Sequence, residues 1–305
     1  GVPKDKNHLV EADGVDEWLN PTDVHTILCG MKVTWENVAE EVGLDFSELS
    51  QSAQKEMDDI FKEIQETVTY NDQDDMNADL TAKQQANKKL QKLHPDIDAR
   101  VFTDMALHKT KLAITRDMID HYTYKHGTDN KCLVFTYNNA VVEGKDFSYS
   151  EYAVEYLNSK AGKVVAHAYD STIDKQKLKT LREDFENNKG KYNFLVCKCQ
   201  LIEDFNKIDL RYLINIQPVN DPMSARRKQK YYRVRRTVLT NPLDAGTNIK
   251  ELSHVYQATS MKQMNDLKGK YTDAVVEALD LKTRYPNVES SELQELIEAM
   301  VAKAI

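Results

Sequence analysis

The feature that most constrains this chain is a regular alternation between residues 131 and 216. Four short runs, KCLVFTY (131–137), KVVAHAY (163–169), YNFLVCK (192–198) and LRYLINI (210–216), are rich in Val, Ile, Leu and aromatic residues. The helical stretch SEYAVEYLNSK follows the first run, and KQKLKTLREDFENN follows the second. Continuous apolar strands separated by helices suit βαβ units, because a parallel sheet is buried on both faces. The expectation is an α/β fold whose parallel sheet is covered by helices on both sides, with right-handed crossovers.

Three textures divide the chain into residues 1–128, 129–240 and 241–305. The first region is polar, acidic and mostly helical. Met57, Ile60, Phe61, Ile64 and Val68 share one helical face. Thr81 is placed to cap a second helix through AKQQANKKLQKL, and a third, KLAITRDMIDHYTYKH, stops at Gly127. The intervening YNDQDDMNAD reads as a solvated acidic loop. The last region is helical again. Stripes from Met261 to Leu279 and from Leu293 to Ala304 pack on the rest of the protein or dock a protein partner, and Ser291 and Gln294 suit a capping box.

Several function classes drop out. No apolar run approaches the length of a membrane span. The opening GVPKDKNHLVEADG is too polar for a signal peptide. Of Cys29, Cys132, Cys197 and Cys199, two sit inside apolar runs, so a disulfide framework is not expected. A cytoplasmic or other reducing intracellular setting fits better. Cys197-Lys198-Cys199 has the wrong spacing for a zinc knuckle, and no metal site is predicted.

Chemistry is expected at the carboxyl ends of the strands, where open parallel sheets bind ligands. Those ends are Thr136 to Asn138, His167 to Asp170, Lys198 to Glu203, and Gln217 to Asn220. After the last comes a run of seven cations from Arg226 to Arg236, in a protein whose formal net charge is −8. Such a run is a nucleic-acid patch, a phosphate site or a solvated helix face. Tyr231 and Tyr232 within it either stack on bases or pack on the sheet.

The order of these pieces, KCLVFTYNN, GKVVAHAYDST, CKCQLIEDFNKIDLRYLINIQPVNDP and RKQKYYRVRR, resembles the C-terminal RecA-like lobe of superfamily-two helicases and translocases. Phage, restriction-type and DNA-repair members look nearest. The resemblance implies a RecA-like sheet. Phe135 and Thr136 resemble motif IV, Glu203 and Phe205 motif V, and Gln229, Arg233 and Arg236 the polar positions of motif VI. It implies that Arg233 and Arg236 reach ATP phosphates as catalytic groups, since a guanidinium fork stabilises a transferring phosphoryl group. Gln229, Glu203 and Asn206 would line the nucleotide. Thr136, Asn138, His167, Lys198, Arg226, Arg227 and Lys228 would touch DNA or RNA, mostly through its backbone.

The sequence also departs from that pattern. Asp204, Asn206 and Ile208 replace the glycine, aspartate and proline of motif V, and Tyr232 replaces the motif VI glycine. A tyrosine there crowds a nucleotide cleft, and Asp204 adds negative charge near phosphates. VVEGKDFSYS forms a longer loop than usual after motif IV. No Walker A run occurs: Gly144-Lys145, Gly162-Lys163, Gly190-Lys191 and Gly269-Lys270 all lack a following Ser or Thr. ATP and Mg²⁺ are therefore expected only with a Walker lobe encoded elsewhere in the gene or on another chain. Two alternatives stand beside this: a catalytically inactive helicase-like scaffold that binds nucleic acid or protein, and a generic doubly wound domain for a small phosphate compound.

Overall fold

The computed structural model describes residues 22–29, 33–45, 47, 49–68, 76–169, 173–187, 192–198, 210–217, 234 and 253–259. The chain divides into two compact units, Gly1–Ala258 and Thr259–Ile305. The second unit, with the helical stripes read from Met261 onward, lies outside the described residues apart from Thr259.

Strand β1 (Thr22–Leu28) comes first, followed by helices α1 (Trp35–Glu41), α2 (Gln51–Val68), α3 (Met76–Leu93) and α4 (Ala99–His126). Then come β2 (Cys132–Phe135), a hairpin of β3 (Ala140–Val142) and β4 (Lys145–Phe147), α5 (Tyr149–Ala161), β5 (Ala166–Tyr169) and α6 (Lys175–Glu186). Strands β6 (Phe194–Cys197), β7 (Tyr212–Asn215) and β8 (Ser253–Thr259) complete the described elements.

The main sheet has the order β1-β8-β7-β2-β6-β5. The pairs β5–β6, β6–β2, β2–β7 and β7–β8 are all parallel. The expected α/β fold with a parallel sheet covered by helices is thus the observed one, and each of the four apolar runs contains a strand. Alternate residues of those strands feed two cores. Cys132, Val134, Phe194, Val196 and Ile214 face α4 and α5, packing with Met118, Ile119, Tyr122, Ala153 and Leu157. Leu133, Phe135, Leu195, Cys197, Leu213 and Val255 face the other way, onto Phe185 of α6, Tyr192, Leu210 and Val234.

Local chemistry sets the helix ends. Asp98 caps α4 by accepting from the amides of Arg100 and Val101 at 3.1 and 3.4 Å. Gly127 ends it at φ 67°, a conformation that suits a residue without Cβ. Ser148 accepts from the Glu151 amide at 3.3 Å at the start of α5, and Asp174 accepts from Gln176 and Lys177 at the start of α6. Asn158 near the end of α5 accepts from the amides of Val165 and Ala166 at 2.8 and 2.9 Å, fixing the entry into β5.

Four expectations need correction. The acidic stretch read as a loop continues into α3, which begins at Met76, so Thr81 lies inside a helix rather than capping one. The third helix begins at Ala99, well before KLAIT, because Asp98 supplies the cap. The segment VVEGKDFSYS is no simple loop: Glu143 and Gly144, at φ 51° and 75°, turn a two-residue hairpin. Residues 22–28 and 253–259, in regions read as helical, are strands of the main sheet. No helix among the described residues is long and apolar enough to cross a membrane.

Candidate functional site

Strand register brings five carboxyl ends into one row. Tyr169 lies opposite Cys197, Cys197 opposite Phe135, Phe135 opposite Asn215, and Asn215 opposite Gln257. At the usual strand spacing this row is about 19 Å across. Backbone bonds carry the ladder one residue further, from Thr136 N to Cys197 O at 2.8 Å and from Ile216 N to Phe135 O at 2.9 Å.

The row is polar although its strands are apolar. Lys198, at the end of β6, is only 9% exposed. Asn215 is fully buried, and its carboxamide Nδ2 donates to Oε1 of Gln257 at 2.8 Å. Nε2 of Gln257 donates in turn to the Ala258 carbonyl at 3.1 Å. Gln217 is buried one step beyond. Burying a polar group is tolerable only when it is hydrogen-bonded, so these amides fix the geometry of the strand ends.

The predicted contacts fall out unevenly. Asn138 is exposed just past β2, as a surface contact requires. Thr136 is fully buried. Its hydroxyl lies 3.2 Å from that of Ser150 in the first turn of α5 and donates to the Tyr137 carbonyl at 3.3 Å. It ties β2 to α5 and does not reach the surface. His167 sits within β5 rather than at its end, with its ring edge-on to Tyr192 at 4.6 Å. Burial and the nearby Lys177 hold this imidazole below its usual pKa. Glu203, Asn206, Arg226, Arg227, Lys228, Gln229, Arg233 and Arg236 lie outside the described residues.

One residue of the basic segment is described. Val234, between Arg233 and Arg235, is fully buried in the core on the α6 side of the sheet. Its carbonyl accepts a hydrogen bond from the Ser253 hydroxyl at the start of β8. Val234 itself is therefore held to the sheet. Sequence reasoning missed Asn215 and Gln257. A polar residue inside the apolar run LRYLINI was the available signal for the first, and none marked the second.

Among the described residues, no group of three or more His, Cys, Asp or Glu could hold a metal ion. Nor do the described strand ends include a glycine-rich phosphate cradle, so they do not by themselves fit ATP or Mg²⁺. The fold and this row define an α/β domain with a polar carboxyl edge.

No family model and no curated protein matches the chain. Among solved structures, the C-terminal part of the Fun30 ATPase domain is similar at a TM-score of 0.40 and 12% identity, over 94% of this chain and 100% of that one. The Hef helicase domain of Pyrococcus furiosus is similar at 0.40 and 14%, over 84% of this chain and 59% of that one. Likeness at this level says nothing of activity.

Proposed function

We propose that the chain supplies a helicase-type C-terminal lobe to a nucleic-acid-dependent ATPase or translocase, acting with a Walker lobe outside this sequence. The observation that supports the reading is the parallel sheet whose strand carboxyl ends align in one row, with Val234 of the basic segment buried against the same sheet near the start of β8, at its opposite edge. In this arrangement Arg233 and Arg236 flank Val234 in sequence and serve as the phosphate-contacting pair, with Gln229, Glu203 and Asn206 near the nucleotide. Asn138, Lys198, Arg226, Arg227 and Lys228 contact the backbone of DNA or RNA. Thr136 supports this edge from within, and His167 is left out of the contact set.

Nucleic-acid binding is tested by fluorescence anisotropy across a salt series. Each phosphate contact releases counterions, so affinity should fall steeply with salt, and Arg226→Ala/Arg227→Ala/Lys228→Ala should flatten the slope. A salt-independent affinity overturns the patch. The arginine role is tested by adding a Walker lobe. Arg233→Ala should then lower ATP turnover by about 10³-fold or more with an unchanged fold. The substitutions Asp204, Asn206, Ile208 and Tyr232 favour a second reading, a scaffold that binds without turnover. Salt-sensitive binding with no ATPase in any reconstituted mixture selects it.

A further inference from the structure

Four of the eight histidines gather away from this edge, at the amino-terminal ends of β7 and β8 on the α4 side. His25 comes from β1, His254 from β8, and His121 and His126 from the last turns of α4. Nε2 of His25 lies 3.0 Å from Nδ1 of His254. The His25 ring also stacks on Tyr256 at 4.6 Å and on His254 at 5.3 Å. His254 in turn stacks on Tyr212 at 5.5 Å. Nε2 of His126 meets the Tyr256 hydroxyl at 2.5 Å, and its ring lies 5.9 Å from that of His254. His121 is 5.7 Å from Tyr256, and its Nε2 is buried with no hydrogen-bond partner.

This arrangement suits neutral rings. A hydrogen bond between two imidazole nitrogens needs one donor and one acceptor, and two imidazolium rings offer only donors. The titratable groups facing the cluster among the described residues are His25 from β1, His254 and Tyr256 from β8, Tyr212 from β7, and His121, Tyr122, Lys125 and His126 from α4. Lys125 holds its ammonium 6.0 Å from the Tyr256 ring centre. Burial, followed by His254, His25, Lys125 and His121, opposes a proton on His126. Burial and Lys125 oppose one on His121.

We infer that β1 is a proton-operated latch, held on the edge of β8 while these imidazoles are neutral and released when the cluster becomes charged. Its release bares a row of backbone donors and acceptors along β8, a surface that accepts an added strand. The sign follows from linkage. With β1 detached, His126 loses the opposing charge of His25 and takes up its proton closer to the ordinary imidazole value of about 6.5, whereas attachment helps to hold it below that. Attachment is complete above that pH and weakens as pH falls through it. The inference is independent of the nucleic-acid reading.

Hydrogen exchange on the full chain at pH 7.5 and 5.5, corrected for intrinsic rates, tests it. Protection over residues 22–28 should fall by more than about threefold at the lower pH, as protons taken up with β1 detached favour its release. Protection of β2 and β6 should change less than twofold, and His25→Gln should abolish the pH dependence of β1. Equal protection of 22–28 at both pH values overturns the latch. So does an equal fall in β2 and β6, or the same fall in His25→Gln.

Discussion

The two faces of the sheet are closed by different means. On one, α4 and α5 lie across the strands, and the same core runs on into α1, α2 and α3. Ion pairs lace its exterior, Lys109 to Glu41 at 2.7 Å and Lys160 to Asp120 at 2.7 Å. On the other, the described cover consists of Phe185 and Leu181 of α6 with Tyr192, Leu210 and the single residue Val234. The strand residues facing either side are fully buried, Val134 and Phe194 on the first, Leu133 and Leu195 on the second. The second holds Val234, the described residue of the basic segment.

The largest expected effect is on the first face. Phe194→Ala removes a fully buried ring packed edge-on against Tyr122 at 5.8 Å and should cost about 3–5 kcal/mol, read as a shift in urea midpoint. A cost below that of a second-face truncation would reverse the comparison. Leu133→Ala, on the second face, should cost about 2–3 kcal/mol, with exchange accelerating first in α6.

The buried amide pair gives a smaller and more diagnostic effect. Asn215→Leu alone should cost about 1–3 kcal/mol by stranding the Gln257 carboxamide, whereas Asn215→Leu with Gln257→Leu should recover most of it. Equal losses in single and double variants would show that the pair is not a unit.

Acid sharpens the contrast further. His108 on α4 is buried, with Nδ1 3.0 Å from the Tyr149 hydroxyl. Burial first, then Lys109, pushes its pKa down to about 4. The unfolded imidazole binds a proton near 6.5 and the folded one does not until about 4. Stability should therefore fall as pH drops through that window, by up to about 1.4 kcal/mol per unit. His108→Gln should flatten the slope in pH-dependent urea melts, and an unchanged slope would place the titration elsewhere.

The strands that read clearly in the sequence are those buried on both sides. CLVF and FLVC are wholly buried, and the hydrophobic signal there is continuous. TDVHTIL and SHVYQAT were illegible because they pair through imidazoles, a carboxamide and a tyrosine, none of which stands out in a hydropathy pattern. The early starts of α3 and α4 were hidden by acidic residues, since Asp98 works as a cap only once the following residues are known to be helical. At the candidate site, the row of polar strand ends was readable from the order of the runs. The Asn215–Gln257 bond was not, because its partner strand was itself unseen. His167 was misplaced by two residues, enough to move it from the strand tip to a position against Tyr192.

The strand order has a consequence for how the protein is made. β2 is the first of the parallel strands to be synthesised, yet its neighbours on both sides come later, with Cys132 paired to Phe194 and to Tyr212. A ribosome that has just finished β2 has delivered neither strand that will flank it. Until β6 and β7 emerge, four apolar residues and both of their backbone edges wait unpaired, the kind of interval in which nascent chains associate with one another or with a chaperone. The hairpin, α5, β5 and α6 are all translated during that interval. A pause between residues 136 and 194 would prolong the exposure, whereas one late enough for β7 to have left the ribosome would find both flanks of β2 already in place.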